Sequence, residues 1–447
     1  MNYDVVIVGG GPAGSVTAIT ARQNYPDKSI LVIRNVEKPV IPCAIPYIFG
    51  RLKGVEDIIS SSDAALKGNN IDLLIDTVVS IDSKNQQIKT KAGETIGYSK
   101  LVLATGALPS SPPIKGIDLK NVFPIYKDNK YLEEMLEIIR ESSSIGIIGG
   151  GFVGAEIADE LSRTKEVHLF EILPHILQLN FDEEFCKMAE EELRKKGVHV
   201  HTGTKVLEIA GNTKVEKVKL ENGTEVNVDA VIIATGTKPN VELAKRAGLT
   251  LGETGAIKID EYMRTSDKNI FAVGDCAEKK FYLTSKPVQM MLASIATAEA
   301  RIAGFNLFDL RFVNQIKGAI GIFSTKIGDL VLACAGLTER NARLEGFDIV
   351  VGYSEAFDKH PAKFSETHKV TCKLIVSRRG ELILGAEIVG GDSVGEMINL
   401  AGFAIENQVT VSKMINLQIG THPLLTPPPT ATPIILAALD ALRKLRG

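Results

Sequence analysis

Cys43 stands in Ile-Pro-Cys-Ala-Ile-Pro-Tyr, residues 41–47, with a proline on either side. Proline fixes its own φ and biases the residue before it towards extended backbone, so this thiol is held in one geometry at the start of an element. A thiol held that way suits nucleophilic attack, whose rate follows thiolate fraction and access. Free cysteines are also among the most buried residue types, so on this stretch alone packing is the simpler reading. A second group with suitable chemistry is His422, in Gly-Thr-His-Pro-Leu-Leu-Thr-Pro at 420–427. Histidine is the natural acid near neutral pH; the alternative is a loop residue fixed by its neighbouring prolines.

The elements around Cys43 decide between its readings. Tyr3 to Val8 is a short apolar run of the kind that forms a fully buried parallel strand. It ends in Gly9-Gly10-Gly11-Pro12-Ala13-Gly14, a helical pattern follows from Ser15 to Asn24, and a second apolar strand runs from Ser29 to Ile33. Strand, Gly-x-Gly-x-x-Gly, helix and strand make a dinucleotide site. The glycines allow the tight turn, the approach of a pyrophosphate and close helix packing, and the helix N-terminus supplies free N–H groups. The acid expected for the ribose at the end of the second strand is missing: Arg34 stands there, with Glu37 three residues on.

The same pattern then repeats. Ser144 to Ile148 is a strand, Gly149-Gly150-Gly151-Phe152-Val153-Gly154 a second glycine loop, Ala155 to Arg163 a helix, and Val167 to Phe170 a strand ending in Glu171. A carboxylate there accepts both ribose hydroxyls and repels a 2′-phosphate, which points to NADH over NADPH. Two such units imply two dinucleotides. Ala104-Thr105-Gly106 closes a strand in the first half, and Ala234-Thr235-Gly236 repeats it in the second. Gly274-Asp275 follows the strand Ile270 to Val273, at the carboxyl end where ligands of open α/β sheets bind. Asp182 to Lys196 reads as an amphipathic helix with Phe181, Phe185, Met188 and Leu193 on its apolar side.

Composition sets the bounds. The 447 residues, 45% hydrophobic and 23% charged, suit a soluble protein of roughly three domains. A net charge of −3 gives no broad attraction to nucleic acid or to an anionic membrane. No signal peptide or membrane span is read from the chain. Five cysteines with no Cys-x-x-Cys pair suit a reducing cytoplasm and argue against structural zinc. Cys186, Cys276, Cys334 and Cys372 and the remaining histidines read as structural.

Over nearly its whole length the chain resembles flavoproteins of the pyridine nucleotide–disulfide oxidoreductase class. The first glycine loop, the two Ala-Thr-Gly turns, the second loop with Glu156, and Ala-Val-Gly-Asp-Cys at 272–276 carry the resemblance. It implies that Gly9, Gly11, Pro12, Ala13 and Gly14, with Arg34, Ala104, Thr105, Gly106, Gly274 and Asp275, hold FAD. It implies that Gly149, Gly151, Phe152, Val153, Gly154, Glu171, Ala234, Thr235 and Gly236 hold NADH, with Glu156 near both nicotinamide and flavin. Cys43-Ala44-Ile45-Pro46-Tyr47 is similar to the Cys-Gly-Leu-Pro-Tyr of the single-cysteine branch, which contains coenzyme A disulfide reductases, persulfide or polysulfide reductases, and NADH oxidases and peroxidases. The second cysteine of classical disulfide reductases is replaced by Ile48.

Two departures bear on the acceptor. The histidine that peroxidase and oxidase members carry in the first loop is Pro12 here, and of the basic residues that would hold coenzyme A phosphates only Arg22 and Lys28 are present. The expected architecture is α/β: two Rossmann-like dinucleotide-binding domains, for FAD (1–112 and 250–321) and NADH (113–249), and a C-terminal α+β dimerisation domain (322–447). His422-Pro423 resembles the pair with which the two-cysteine branch protonates a leaving thiolate in the partner subunit, although Pro427 replaces its glutamate. The expected protein is a cytoplasmic homodimer with Cys43, Glu156 and His422 as catalytic groups and no metal. It would oxidise NADH and reduce a small disulfide, persulfide or polysulfide, with coenzyme A as a candidate ligand. The alternatives are an NADH oxidase using dioxygen and a flavoprotein that signals through its conformation.

Overall fold

A computed structural model describes residues 1–315 and 318–447, so residues 316 and 317 of the expected 250–321 segment lie outside it. The first apolar run forms the strand Asn2–Val8, central in a sheet ordered 72–75, 30–34, 2–8, 95–103, 87–90, 78–82. Its first four strands are parallel, and Ile270–Ala272 adds in parallel to Thr95–Leu103. Chain from beyond residue 250 thus completes the first sheet. Strand 2–8 buries Val5, Val6, Ile7 and Val8, which is why its sequence is a continuous apolar run rather than an alternating one.

The second glycine loop leads a five-stranded parallel sheet ordered 199–201, 166–170, 144–148, 230–233, 122–124. The strands after the two Ala-Thr-Gly turns, Ala107–Pro109 and Thr237–Pro239, pair antiparallel with each other. Thr105 Oγ1 donates to the Asn240 carbonyl at 2.7 Å, and Ser110 N–H donates to the Gly236 carbonyl at 3.0 Å. The repeated motifs therefore meet where the chain crosses between the two sheets.

From Ile322 a five-stranded antiparallel sheet forms in the order 322–327, 330–336, 383–390, 369–377, 349–357, packed by the helices Val394–Glu406 and Pro433–Arg446. The helix Glu183–Lys195 joins it to the preceding unit. Its buried face is Phe185, Cys186, Ala189 and Leu193. Met188 is 36% exposed, a correction to the expected apolar side: at 100° per residue it falls at the edge of the stripe. At that helix's N-terminus Lys373 reaches Asp182 at 2.8 Å, Glu184 at 2.6 Å and Glu339 at 3.0 Å, fastening the C-terminal sheet to the second unit.

Candidate active site

The Cys43 stretch folds as a 3₁₀ helix, Pro42–Phe49, with Pro42 at its first position, where no backbone N–H is needed. Ile45, Pro46, Ile48 and Phe49 are buried while Cys43 is an exposed residue, so the hydrophobic side of this turn anchors it and keeps Cys43 at the surface, its sulfur partly covered by neighbouring atoms. The other four cysteines are buried, and burial pushes each of their thiols up. The 3₁₀ helix packs on Phe152–Leu161, the helix that opens from the second glycine loop. Arg51, just past the turn, donates from N–H and Nε to the buried Glu160 carboxylate, both at 2.7 Å.

Three charged groups bear on Cys43, of which Glu156 comes from this helix. Atoms crowding the sulfur push its pKa up, the Glu156 carboxylate adds to the rise, Lys127 opposes it and Asp275 adds a smaller push. Burial raises Glu156 itself to about 7, against a 2.8 Å hydrogen bond donated by Thr325 Oγ1 and with a further push from Glu160. Phe152 stacks on Phe323 with centroids 5.3 Å apart, so the C-terminal sheet closes over the start of the second loop's helix.

The two glycine loops have closely similar geometry. Gly9 and Gly149 take φ +114° and +110°, a region open to glycine. A Cβ on Gly14 would lie 1.9 Å from the Gly9 carbonyl oxygen, and one on Gly154 would lie 1.9 Å from that of Gly149. Gly11 and Gly151 differ: both have φ −74° and ψ −172°, which any residue adopts, and a Cβ on either meets nothing within 4 Å. Neither backbone strain nor packing explains glycine there, whereas a pyrophosphate lying against each loop does. The residues present therefore fit a dinucleotide at both loops. Pro12, Ala13, Phe152 and Val153 begin the two helices whose N–H ends face those positions.

Beside the second loop, Glu171 accepts from Gly150 N–H at 2.6 Å and Leu173 N–H at 2.8 Å, which holds its carboxylate against that loop. Beside the first, Arg34 occupies the corresponding place, its stem so close that a Cβ on Gly10 would fall 2.7 Å from Cδ. Its guanidinium turns away from the loop. Nε donates to the Val36 carbonyl at 2.8 Å, Nη2 to that of Glu37 at 2.8 Å, and the fork closes on Asp63 at 2.5 and 2.7 Å. Glu37 is largely exposed, 4.0 Å from Lys130.

Gly274, at φ +76°, donates its N–H to Glu299 at 2.8 Å, while Lys279 joins the Gly274 carbonyl at 2.7 Å and Glu299 at 2.8 Å. This buried pair fixes the turn that carries Asp275, whose carboxylate lies 3.3 Å from Lys127. Lys127, Thr325, Asp63, Lys279 and Glu299 were not singled out from the sequence. They lie in no motif, and only their fold neighbours give them a role.

His422 is exposed, and its hydrogen bonds run to Leu424, Leu425 and Thr426 within its own turn. None of these bonds reaches Cys43 of the same chain. Arg22 donates to the carbonyls of Asn69, Pro26, Lys28 and Asn70, and Lys28 pairs with Asp4 at 2.9 Å, so both basic groups weighed as a coenzyme A handle are engaged elsewhere.

A family model described as pyridine nucleotide-disulphide oxidoreductase matches residues 3–300, and that family's dimerisation domain matches residues 322–431. The chain belongs to the pyridine nucleotide-disulphide oxidoreductase family. Members of this family are flavoenzymes that use FAD with a nicotinamide dinucleotide, in agreement with the two loops. An "NADH oxidase" of Methanocaldococcus jannaschii is 36% identical, covering 98% of this chain and 99% of its own length. An "NAD(P)H coenzyme A polysulfide/persulfide reductase" of Pyrococcus horikoshii is 33% identical over 88% of each chain. The solved NAD-dependent persulfide reductase from A. fulgidus superposes with a TM-score of 0.92 at 31% identity, covering 100% of this chain and 84% of that one. Among the described residues, no helix of this oxidoreductase is long and apolar enough to cross a membrane.

Proposed function

We propose that this oxidoreductase reduces a low-molecular-weight persulfide, polysulfide or disulfide at the expense of NADH, with Cys43 as the nucleophile. The observation that carries the reading is Cys43, an exposed residue on a proline-fixed turn that packs against the helix leaving the second dinucleotide loop. The chemistry a bound FAD supplies is two-electron transfer from NADH to sulfur. Cys43, as thiolate, attacks the sulfane sulfur of a persulfide, releases the parent thiolate and carries that sulfur as its own persulfide until it is reduced and released. Lys127 favours the thiolate, and Glu156, poised near neutrality, holds or gives up a proton beside it.

The first unit with residues 250–321 is the FAD domain in this reading, 113–249 the NADH domain and 322–447 the dimerisation domain. Glu171 selects NADH through the ribose hydroxyls, and Asp275 meets the flavin side of the cleft. Arg34 braces Gly10 rather than touching the ribose. In a homodimer, the exposed turn at His422 reaches the partner's cleft and protonates the leaving thiolate. Coenzyme A species are held by groups other than Arg22 and Lys28. Five free cysteines suit a reducing compartment such as the cytoplasm.

A second reading is an NADH oxidase, favoured by the relative of that name at 36% identity. Anaerobic NADH turnover with coenzyme A persulfide, coenzyme A disulfide and polysulfide, and then turnover with dioxygen alone, each compared between wild type and Cys43→Ser, separates the two. Loss of sulfur-acceptor turnover with flavin reduction intact is the expected result. Equal turnover in both proteins, with dioxygen as the best acceptor, would reject the role of Cys43.

A further inference from the structure

Away from the cleft, one face of the second unit's sheet collects three of the chain's seven histidines. Glu166–Phe170 and the edge strand His199–His201 run parallel, with His168 opposite His199 and Phe170 opposite His201. Residues two apart on a strand share a face, so Glu166, His168, His199 and His201 all project from the same side. His168 Nε2 lies 3.3 Å from Glu166 Oε1, and His199 Nε2 lies 3.8 Å from the same oxygen. One ligand atom from each of Glu166, His168 and His199 falls within 4.8 Å of the others. The His168 and His199 rings are nearly parallel, with centroids 4.6 Å apart.

We propose that Glu166, His168 and His199 form a binding site for a zinc-class divalent cation, which clamps the three-residue edge strand to its neighbour. Two imidazoles and a carboxylate are the donor set that borderline cations prefer, and hard cations such as Mg²⁺ do not. Ligand atoms of a tetrahedral zinc with bonds of about 2.0–2.1 Å stand about 3.4 Å apart, so the 3.3 Å separation already fits, the 3.8 Å one needs a small closure, and the third, within 4.8 Å, a ring tilt. The site has its own orienting group: His168 Nδ1 lies 3.3 Å from His201 Nε2, which fixes the His168 ring with Nε2 towards Glu166. Glu166 and His199 are each more than half exposed, which leaves an open approach and a position for water. Burial lowers the pKa of His168, with His199 adding to the fall, and burial also lowers that of His201.

The test uses tag-free, flavin-loaded Cys43→Ser protein, so that no exposed thiolate competes for metal. Zn²⁺ is titrated by calorimetry, with Mg²⁺ as the control, and thermal unfolding is followed with and without Zn²⁺. The expected result is one zinc per chain, no response to Mg²⁺ and a higher Tm with zinc. His199→Ala and Glu166→Gln, both at accessible positions, should each weaken binding by about tenfold or more and abolish the Tm rise; His201→Ala should weaken it about tenfold. No saturable zinc binding in the parent, or unchanged binding in His199→Ala and Glu166→Gln, would overturn the site.

Discussion

Thr325 Oγ1 donates a 2.8 Å hydrogen bond to Glu156 Oε1, tying the first strand of the C-terminal sheet to the helix that leaves the second dinucleotide loop. Glu156 is thus a property of two domains: one supplies the carboxyl, while the other helps to bury it and caps one oxygen.

The folded Glu156 pKa of about 7 lies above its ordinary value of 4.5. The folded chain therefore binds this proton more tightly. The stability gained is fully present below about 4.5 and is lost as pH rises through about 7. The span corresponds to about 3 kcal/mol, an upper figure. Glu156→Gln should match wild type in urea unfolding near pH 4.5 and exceed it by about 2 kcal/mol at pH 8. An unchanged difference across that range would show that Glu156 titrates normally.

The same environment should govern the reactivity of Cys43. Glu156 raises its pKa and Lys127 lowers it. In iodoacetamide alkylation followed against pH, the midpoint should move down in Glu156→Gln and up in Lys127→Met. Rates at pH 8 should change by about threefold in each direction. Shifts of the same sign in both variants would contradict the charge arrangement.

Gly11 and Gly14 should fail in different ways. Alanine at 14 drives a methyl into the Gly9 carbonyl, so Gly14→Ala should lower stability by several kcal/mol and leave little folded protein. Alanine at 11 meets only open space, so Gly11→Ala should fold with an unchanged urea midpoint yet purify with much less flavin, read from absorbance. Full flavin content in Gly11→Ala would remove the pyrophosphate from that position.

Arg34 is buried and depends on Asp63 for its only anionic partner among the described residues. Asp63→Ala should cost about 2 kcal/mol, less than a fully buried pair because Asp63 is half exposed. The hydrogen bond from Arg34 holds the Asp63 carboxyl below its ordinary range, so this stabilisation is present above the unfolded pKa and is lost as pH falls through the lower folded one. Urea unfolding at pH 7 and pH 3 checks this: the gap between the two proteins should narrow in acid.

The chain's own order of residues determined most of the architecture. Strands such as 2–8 and 144–148 are continuous apolar runs because both faces are buried, and each is followed by glycines at positions that geometry or an approaching phosphate demands. Those are local constraints, and local constraints leave local marks. Cys43 was legible for the same reason, through the prolines that fix its turn. Met188 was misplaced because an apolar residue at the edge of a helical stripe looks the same in sequence whether or not a neighbour covers it. Lys127 beside Asp275, Thr325 on Glu156, Asp63 on Arg34 and Lys279 with Glu299 lie 148, 169, 29 and 20 residues apart. A pKa depends on distance and burial in space, and no spacing along the chain encodes either, so these pairings were decided only when the sheets, the crossing strands and the C-terminal sheet packed together.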